Sequence, residues 1–258
     1  YLCLTEDVRQ PAIKSMVGAS GRQRAQLDAI TTLDVLIPPL LTQQIIASTL
    51  SAYDDLIENN LERILLLEEM SQLTYEEWFI SNLINGKRIS DKNIVYKPLE
   101  ALIEFSMNGG WGKEINDNSH SEIAYVIRGT DIPDVSRGAF NDLPLRYHTK
   151  KNLESRTLNQ GDIIIEISNG NIDNVGRSLF FDETINIILG KTIICASFCK
   201  MLRPKSKPIS YLIAAHIKYI HKTNKMLIYK SQGANGINNF RAEDMITEEL
   251  IPIPMDYN

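Results

Sequence analysis

Between Leu41 and Leu83, stepping alternately by four and three residues lands on Ile46, Leu50, Tyr53, Ile57, Asn60, Ile64, Leu67, Ser71, Thr74 and Trp78. This a/d seam predicts one long helix of the coiled-coil type over residues 41–84. Pro38 and Pro39 stand ahead of it, and Asn85-Gly86 supply a stop, because both residue types tolerate the left-handed conformation. At 1.5 Å per residue, some 40 residues extend roughly 60 Å. Asp54, Asp55, Glu58, Glu62, Glu68, Glu69, Glu76 and Glu77 decorate the remaining faces. Such a helix cannot bury its seam alone and needs a second helix, from this chain, a second copy or a partner protein. Asn60 has two readings: a buried amide that fixes register, or a local irregularity in which Leu61 packs instead.

Charge divides the chain at the same place. Residues 1–84 carry 5 Lys/Arg against 12 Asp/Glu, whereas residues 85–258 carry 22 against 20. No acid falls between Glu183 and Glu243, where Lys191, Lys200, Arg203, Lys205, Lys207, Lys218, Lys222, Lys225, Lys230 and Arg241 all lie. Attraction to phosphate depends on where charge sits rather than on the net value of −5. The acid-free block therefore fits a nucleic-acid contact, and equally a solvated basic face. A 43% hydrophobic and 23% charged composition excludes wholesale disorder. The chain has no membrane-length apolar run and no signal-type start. Three cysteines, Cys3, Cys195 and Cys199, are too few for a disulfide framework, so a cytoplasmic setting is expected. Tyr1 in place of Met leads to the expectation that the chain is a piece of something longer.

After Gly86 the pattern becomes that of a mixed α/β, strand-rich domain over residues 85–258. Pro98 opens a short helix ending near Ser106, and a Gly/Asn-rich loop runs from Met107 to Lys113. Strands are expected at Ala124–Ile127, Asp162–Ile167, Leu179–Phe181, Ile185–Leu189 and Ile193–Phe198, and a helix at Ile209–His221. An internal comparison at an offset of 215 aligns Gly18–Pro39 with Gly233–Pro254, with identities at Gly18/Gly233, Ala19/Ala234, Gly21/Gly236, Thr32/Thr247 and Pro39/Pro254. Both copies run from a Gly-rich turn through a short helical patch to an aliphatic run ending in proline. Residues 1–40 then read as the closing remnant of a first module, residues 41–84 as a spacer helix and residues 85–258 as a second module.

Catalytic constellations are missing where they would be needed. Pro38-Pro39 follow Ile37, so no Asn or Asp stands ready to hold an exocyclic amine. Asp162 and Glu166 have the separation of a nuclease pair, but Ser168 occupies the lysine position, which favours two structural carboxylates. No Gly-Lys-Ser/Thr phosphate loop occurs, and Gly109-Gly-Trp-Gly112 is too short for a dinucleotide fingerprint. Cys195 and Cys199 read as core thiols in one strand rather than metal ligands, His216 as core and His221 as surface. The expectation is a non-enzyme with no metal or cofactor of its own.

Three segments together resemble the DNA-specificity subunit of type I restriction–modification systems. They are Ile37-Pro-Pro-Leu-Leu-Thr-Gln-Gln-Ile-Ile-Ala-Ser-Thr-Leu-Ser-Ala-Tyr-Asp-Asp-Leu-Ile-Glu58 with its continuation through Tyr75-Glu-Glu-Trp-Phe79, Gly161–Ser168 with Gly176-Arg-Ser178, and Gln232–Phe240 through Ile251-Pro-Ile-Pro254. The resemblance implies two target-recognition domains held apart by two antiparallel helices, each domain reading half of a gapped site in double-stranded DNA. It also implies helices that dock methyltransferase subunits, which bind S-adenosylmethionine, and a motor–nuclease subunit in the same complex. This chain departs from the pattern in having one complete recognition domain and one long helix, which leaves three readings open: a chain that acts alone, a homodimer through that helix that rebuilds the two-domain arrangement, or a truncated remnant. Two other readings remain: the recognition end of a fused restriction–methylation polypeptide, and a coiled-coil interaction protein without DNA.

Base edges are read by forked donors and acceptors, and phosphates by Lys and Arg. On that basis Asn108, Trp111, Lys113, Arg128, Arg137, Lys205 and Lys207 are the candidate DNA contacts. Trp111 has an alternative role as a loop anchor. Gln232, Asn235, Asn238 and Asn239 fit a structural turn at least as well as a contact.

Overall fold

The computed structural model describes residues 1–18, 23–84, 86–88, 93–233 and 236–255. The chain divides into two packed units, residues 1–63 and residues 64–258. The first holds helices α1 (Glu6–Lys14) and α2 (Asp28–Thr31) and most of the long helix α3 (Leu40–Tyr75). The side-chain amide of Gln43 donates to the Pro38 carbonyl at 2.8 Å, and its backbone N–H donates to the Pro39 carbonyl at 3.0 Å, so the two prolines set the first turn of α3. The heptad residues of this part stay in contact with water: Ile46 is 45%, Tyr53 63% and Ile57 59% exposed, and Asn60 is exposed. Leu50 is only partly exposed.

The predicted helix overruns its true end. α3 stops at Tyr75 and is followed by one π-helical turn, Glu76–Ile80, and by Asn82 at φ +53°. The cause is tertiary. Tyr75 is 3% exposed, its ring stacks on Phe79 at 5.3 Å, and its hydroxyl lies 2.5 Å from His216 Nδ1. Widening the last turn lets Phe79 pack against the same core as Tyr75. Trp78 therefore leaves the seam for the π turn, while Ile64 is half-buried and Leu67 remains 63% exposed. Gly86, at φ +71°, lies in a hairpin of β1 (Leu83–Ile84) and β2 (Lys87–Arg88), and Asn85 lies outside the described residues. The division between the two packed units falls within α3, between Arg63 and Ile64.

The second unit continues with β3 (Ile94–Pro98), a 3-10 turn at Leu99–Leu102, β4 (Ile103–Asn108), β5 (Glu122–Ile127), α4 (Ile132–Ser136), β6 (Leu145–His148), α5 (Lys150–Arg156), β7 (Ile163–Glu166), β8 (Ser168–Asn169), β9 (Ser178–Phe180) and α6 (Thr184–Leu189). It closes with β10 (Thr192–Cys195), β11 (Cys199–Pro204), α7 (Lys207–Lys222), β12 (Lys230–Gln232), β13 (Asn238–Phe240), α8 (Ala242–Glu248) and β14 (Leu250–Pro254). This is the mixed, strand-rich α/β fold with a long helix that the sequence pattern predicts. An antiparallel sheet in the order β4-β11-β7-β9 forms its centre, beside a sheet β10-β5-β6 whose first pair is parallel. Ile163 and Ile165 face one core with α7 and α8, and Ile164 faces a second core with Ile127, Phe181, Ile193 and Met201. A continuous isoleucine run suits a strand buried on both faces.

Three local expectations change. Pro98 ends a strand instead of opening a helix, because β3 pairs with β14, while Ile103–Asn108 pairs with β11 as β4. The apolar run Ile185–Leu189 is helical: it buries Ile185 but leaves Ile187 77% exposed, and Gly190 at φ +62° ends it. Short apolar runs do not distinguish strand from helix by periodicity. Cys195 and Cys199 stand on two different strands, joined by the turn at 196–198, and both are buried.

His216 is buried and hydrogen-bonded at both ring nitrogens: Nδ1 to Tyr75 and Nε2 to Glu249 Oε1 at 2.8 Å, with the Tyr229 hydroxyl donating to Glu249 Oε2 at 2.9 Å. Burial by itself pushes the Glu249 carboxyl up, but the hydrogen bonds and positive charge of His216 and the bond from Tyr229 outweigh it and hold the group below its ordinary value. This chain of side chains ties the end of α3 to α7 and to the start of β14. His221, expected at the surface, is half-buried, and desolvation lowers its pKa.

Burial pushes the Cys195 thiol up to about 12 and also raises Cys199, whereas Cys3 is exposed. Native protein treated with a thiol reagent at pH 8 should accordingly label at Cys3 alone. Peptide mapping of labelled protein, before and after denaturation in guanidinium, checks this.

Candidate nucleic-acid interface

The loop after β4 needs its glycines for close backbone approach. Gly109 and Gly110 donate to the Cys199 and Cys195 carbonyls, both at 2.9 Å. A Cβ on Gly109 would fall 2.2 Å from the carbonyl oxygens of Cys195 and Ala196. Gly112, at φ +73°, lies against the His148 ring. These contacts fix the base of the loop, which presents Trp111 39% exposed with the Arg146 guanidinium 4.8 Å from its ring centre.

Opposite Trp111, the turn after β5 is held by a buried ion pair. Glu166, at the end of β7, accepts two hydrogen bonds from Arg177 at 3.0 and 2.8 Å on one oxygen and one from the Asn169 amide at 2.6 Å on the other. Arg177 also donates to the Gly129 carbonyl at 3.1 Å. Position 129 has no room for a side chain, since a Cβ would lie 2.1 Å from Glu166 Oε1. The neighbouring Arg128 forks onto Asp131, with Nε to Oδ2 at 2.8 Å and Nη2 to Oδ1 at 2.6 Å.

Between these walls lies a cleft of about 610 Å³, lined by Trp111, Arg128, Thr130, Ser168, Phe198 and Ile237 among others. Phe198 is 64% and Ile237 38% exposed, so the lining is apolar and open, with a guanidinium at its edge. Chemically this can take the face or methyl group of a base, while Asp131 and the Asp142 carbonyl occupy Nε and Nη2 of Arg128 and leave Nη1 as the donor toward an acceptor edge.

The expected contact residues separate into groups. Trp111 and Arg128 meet at the cleft. Asn108 and Lys113 flank the Trp111 loop, but the Asn108 carbonyl accepts from Arg156 at 3.1 Å. Lys113 pairs with Asp117 at 2.5 Å, a contact that holds the Asp117 carboxyl far below the usual carboxylate range. Arg137 is exposed at the end of α4 and does not line the cleft. Lys207 lines a separate polar depression with Glu104, Asp162 and Arg203, and Lys205 donates to the Ala101 carbonyl at 2.7 Å.

The acid-free stretch is not an unpaired basic face. Lys200, Arg203, Lys218, Lys222 and Arg241 pair with Glu243, Asp162, Glu68, Glu76 and Asp244. Chain folding brings back the acids that the local sequence lacks. Asn238 is buried and donates to the Gly170 carbonyl, a structural role, while Asn235 lies outside the described residues. Sequence reasoning missed Phe198 and Ile237, whose place in the cleft depends on the β10–β11 turn and the segment before β13.

Residues 1–69 match the sequence model of the type I restriction modification DNA specificity domain. The matched stretch contains the segment beginning at Ile37. Similar solved structures include the type I restriction-modification S subunit from M. genitalium, 15% identical with a TM-score of 0.47, matched over 98% of this chain and 62% of that one. The HsdS subunit from Thermoanaerobacter tengcongensis is 12% identical with a TM-score of 0.38, over 98% and 56%. A chain from work on complex assembly and conformational transition of the type I R-M system is 13% identical with a TM-score of 0.41, over 99% and 58%. This chain spans between 56% and 62% of the length of these structures. No curated protein matches. Among the described residues no helix is long and apolar enough to cross a membrane.

Removing Arg177 leaves Glu166 buried without its cation. Arg177→Ala should destabilise the protein by about 3–5 kcal/mol, read as a lowered midpoint in urea denaturation followed by Trp fluorescence.

Proposed function

We propose that this chain acts as a DNA-specificity subunit of a type I restriction–modification complex. The unit 64–258 reads one half of a bipartite site in double-stranded DNA, with Trp111, Phe198 and Arg128 at the point of contact. The long helix offers its seam to methyltransferase subunits and to a second copy, and the motor–nuclease subunit joins that assembly. Methyl transfer and its S-adenosylmethionine belong to the partner subunit, and this chain contributes recognition without catalysis. The observation that carries the reading is the family match over residues 1–69, which includes most of α3. The open apolar cleft with an arginine at its edge supports it.

The test is co-expression with the cognate methyltransferase subunit, followed by sequencing of methylated sites and DNA-binding titrations at several salt concentrations. A single bipartite motif should be modified, and log affinity should fall linearly with log salt. Trp111→Ala and Phe198→Ser should each weaken binding to that motif about tenfold while leaving non-specific binding nearly unchanged. Absence of sequence-dependent binding with the partner present refutes the proposal.

The exposure of Tyr53, Ile57 and Leu67 favours one further role for α3, as the site of helix–helix association. Replacing Ile57 and Ile64 with Asp should abolish self-association or partner binding in analytical ultracentrifugation; unchanged assembly means that the seam is not the interface.

A further inference from the structure

The groups that line the Trp111 cleft are unevenly committed. Trp111, Phe198 and Ile237 make apolar walls that stay in contact with water, and buried Ala196 adds to the lining. The polar groups between them are mostly engaged already. Glu166 takes the Arg177 fork on one oxygen and the Asn169 amide on the other, and the Gly129 carbonyl accepts from Arg177. The Ser168 hydroxyl donates to Asn239 Oδ1 at 3.1 Å. The hydroxyl of Thr130, an exposed residue, can give or accept a hydrogen bond and so does not choose between bases.

Arg128 differs from these groups. Its Nε donates to Asp131, and the two N–H groups of Nη2 go to Asp131 Oδ1 and to the Asp142 carbonyl, the latter at 3.2 Å. Asp131 is buried and also accepts the Arg128 backbone N–H at 2.8 Å, which ties the guanidinium to its own turn. Nη1 keeps its N–H groups without an acceptor among the described residues. The fork that an arginine makes on guanine uses two of its nitrogens. With Nε and Nη2 taken, that fork is closed, and donors on a single nitrogen remain beside an apolar wall.

A base edge that matches this lining carries an acceptor next to an apolar group. In the major groove only thymine does so, with O4 beside its C5-methyl group. Cytosine presents an N4 amine where Nη1 needs an acceptor, and adenine presents an N6 amine beside N7 and no methyl group. We infer that the cleft reads a thymine of the half-site, its methyl group against Phe198 and Ile237 and its O4 accepting from Arg128 Nη1. This inference rests on the reading of residues 64–258 as a DNA-recognition unit and names the base that the unit selects.

The test uses the full chain in complex with its cognate methyltransferase subunit, on duplexes carrying the motif found by methylation mapping. Each thymine of the motif is replaced singly by deoxyuridine, which lacks only the methyl group. A parallel series carries 4-thiothymidine, which keeps the methyl group and puts sulfur, a weak acceptor, in place of O4. At one thymine, deoxyuridine should weaken binding about fourfold and 4-thiothymidine about fivefold. Phe198→Ser should remove the deoxyuridine penalty there and keep the sulfur penalty, and Arg128→Ala should do the reverse. Each penalty is a ratio measured on one protein, so a variant of lower overall affinity still reports it, and the series on the unaltered chain needs no variant. Sequence-dependent binding with no such thymine overturns the assignment and leaves the recognition reading standing. So does a deoxyuridine penalty that survives Phe198→Ser, or a sulfur penalty that survives Arg128→Ala. Absence of any sequence-dependent binding removes both the assignment and the reading beneath it.

Discussion

A strand buried on both faces and bounded by carboxylates must find a cation at each end. β7 is such a strand: Ile163, Ile164 and Ile165 divide between two cores, while Asp162 and Glu166 are 1% and 2% exposed. Arg203, from β11, forks onto Asp162 at 2.9 and 2.7 Å, and Arg177, from the loop before β9, forks onto Glu166. A buried ion pair adds little net stability compared with an apolar pair of the same shape. Its effect is specificity of arrangement: only one register of β11 against β7 brings Arg203 to Asp162.

The cleft follows from the same constraint. Glu166 draws in Arg177 and Asn169, Arg177 holds the Gly129 carbonyl, and the missing side chain at 129 lets the Arg128 turn sit against the end of β7. Across from it, glycines let the Trp111 loop bond to the β10–β11 turn. Two exposed aromatic side chains and a guanidinium are thereby held on backbone anchored by core strands rather than on free loops. Rigid presentation of this kind limits the conformational entropy lost when a ligand is bound. It also explains why residues far apart in sequence, near 111, 128, 168 and 198, make one surface.

Much of this was legible in the residues. The heptad seam marked the long helix, the isoleucine run marked the central strand, and the coverage of Cys195, Cys199 and His216 matched their apolar settings. Trp111 and Arg128, singled out in the sequence for stacking and forked-donor chemistry, line one cleft, which their spacing in the sequence did not disclose. The paired state of the basic stretch was not legible: Lys218 and Lys222 meet Glu68 of the long helix and Glu76 of the π turn after it, which are separated from them by well over a hundred residues. Nor was the true end of α3, where packing of Tyr75 and Phe79 onto α7 prevails over the periodicity that extends to Leu83.

Local periodicity and side-chain type determined, without any coordinates, that this chain combines a long amphipathic helix with a strand-rich domain and that its two ends repeat one pattern. These properties depend on neighbours a few residues apart, which a sequence displays directly. Tertiary structure alone decided which cations are neutralised and which loops share a cleft. Each of those outcomes depends on pairing across long separations, where charge and hydrogen bonding are satisfied by whatever the folded chain brings within a few ångströms.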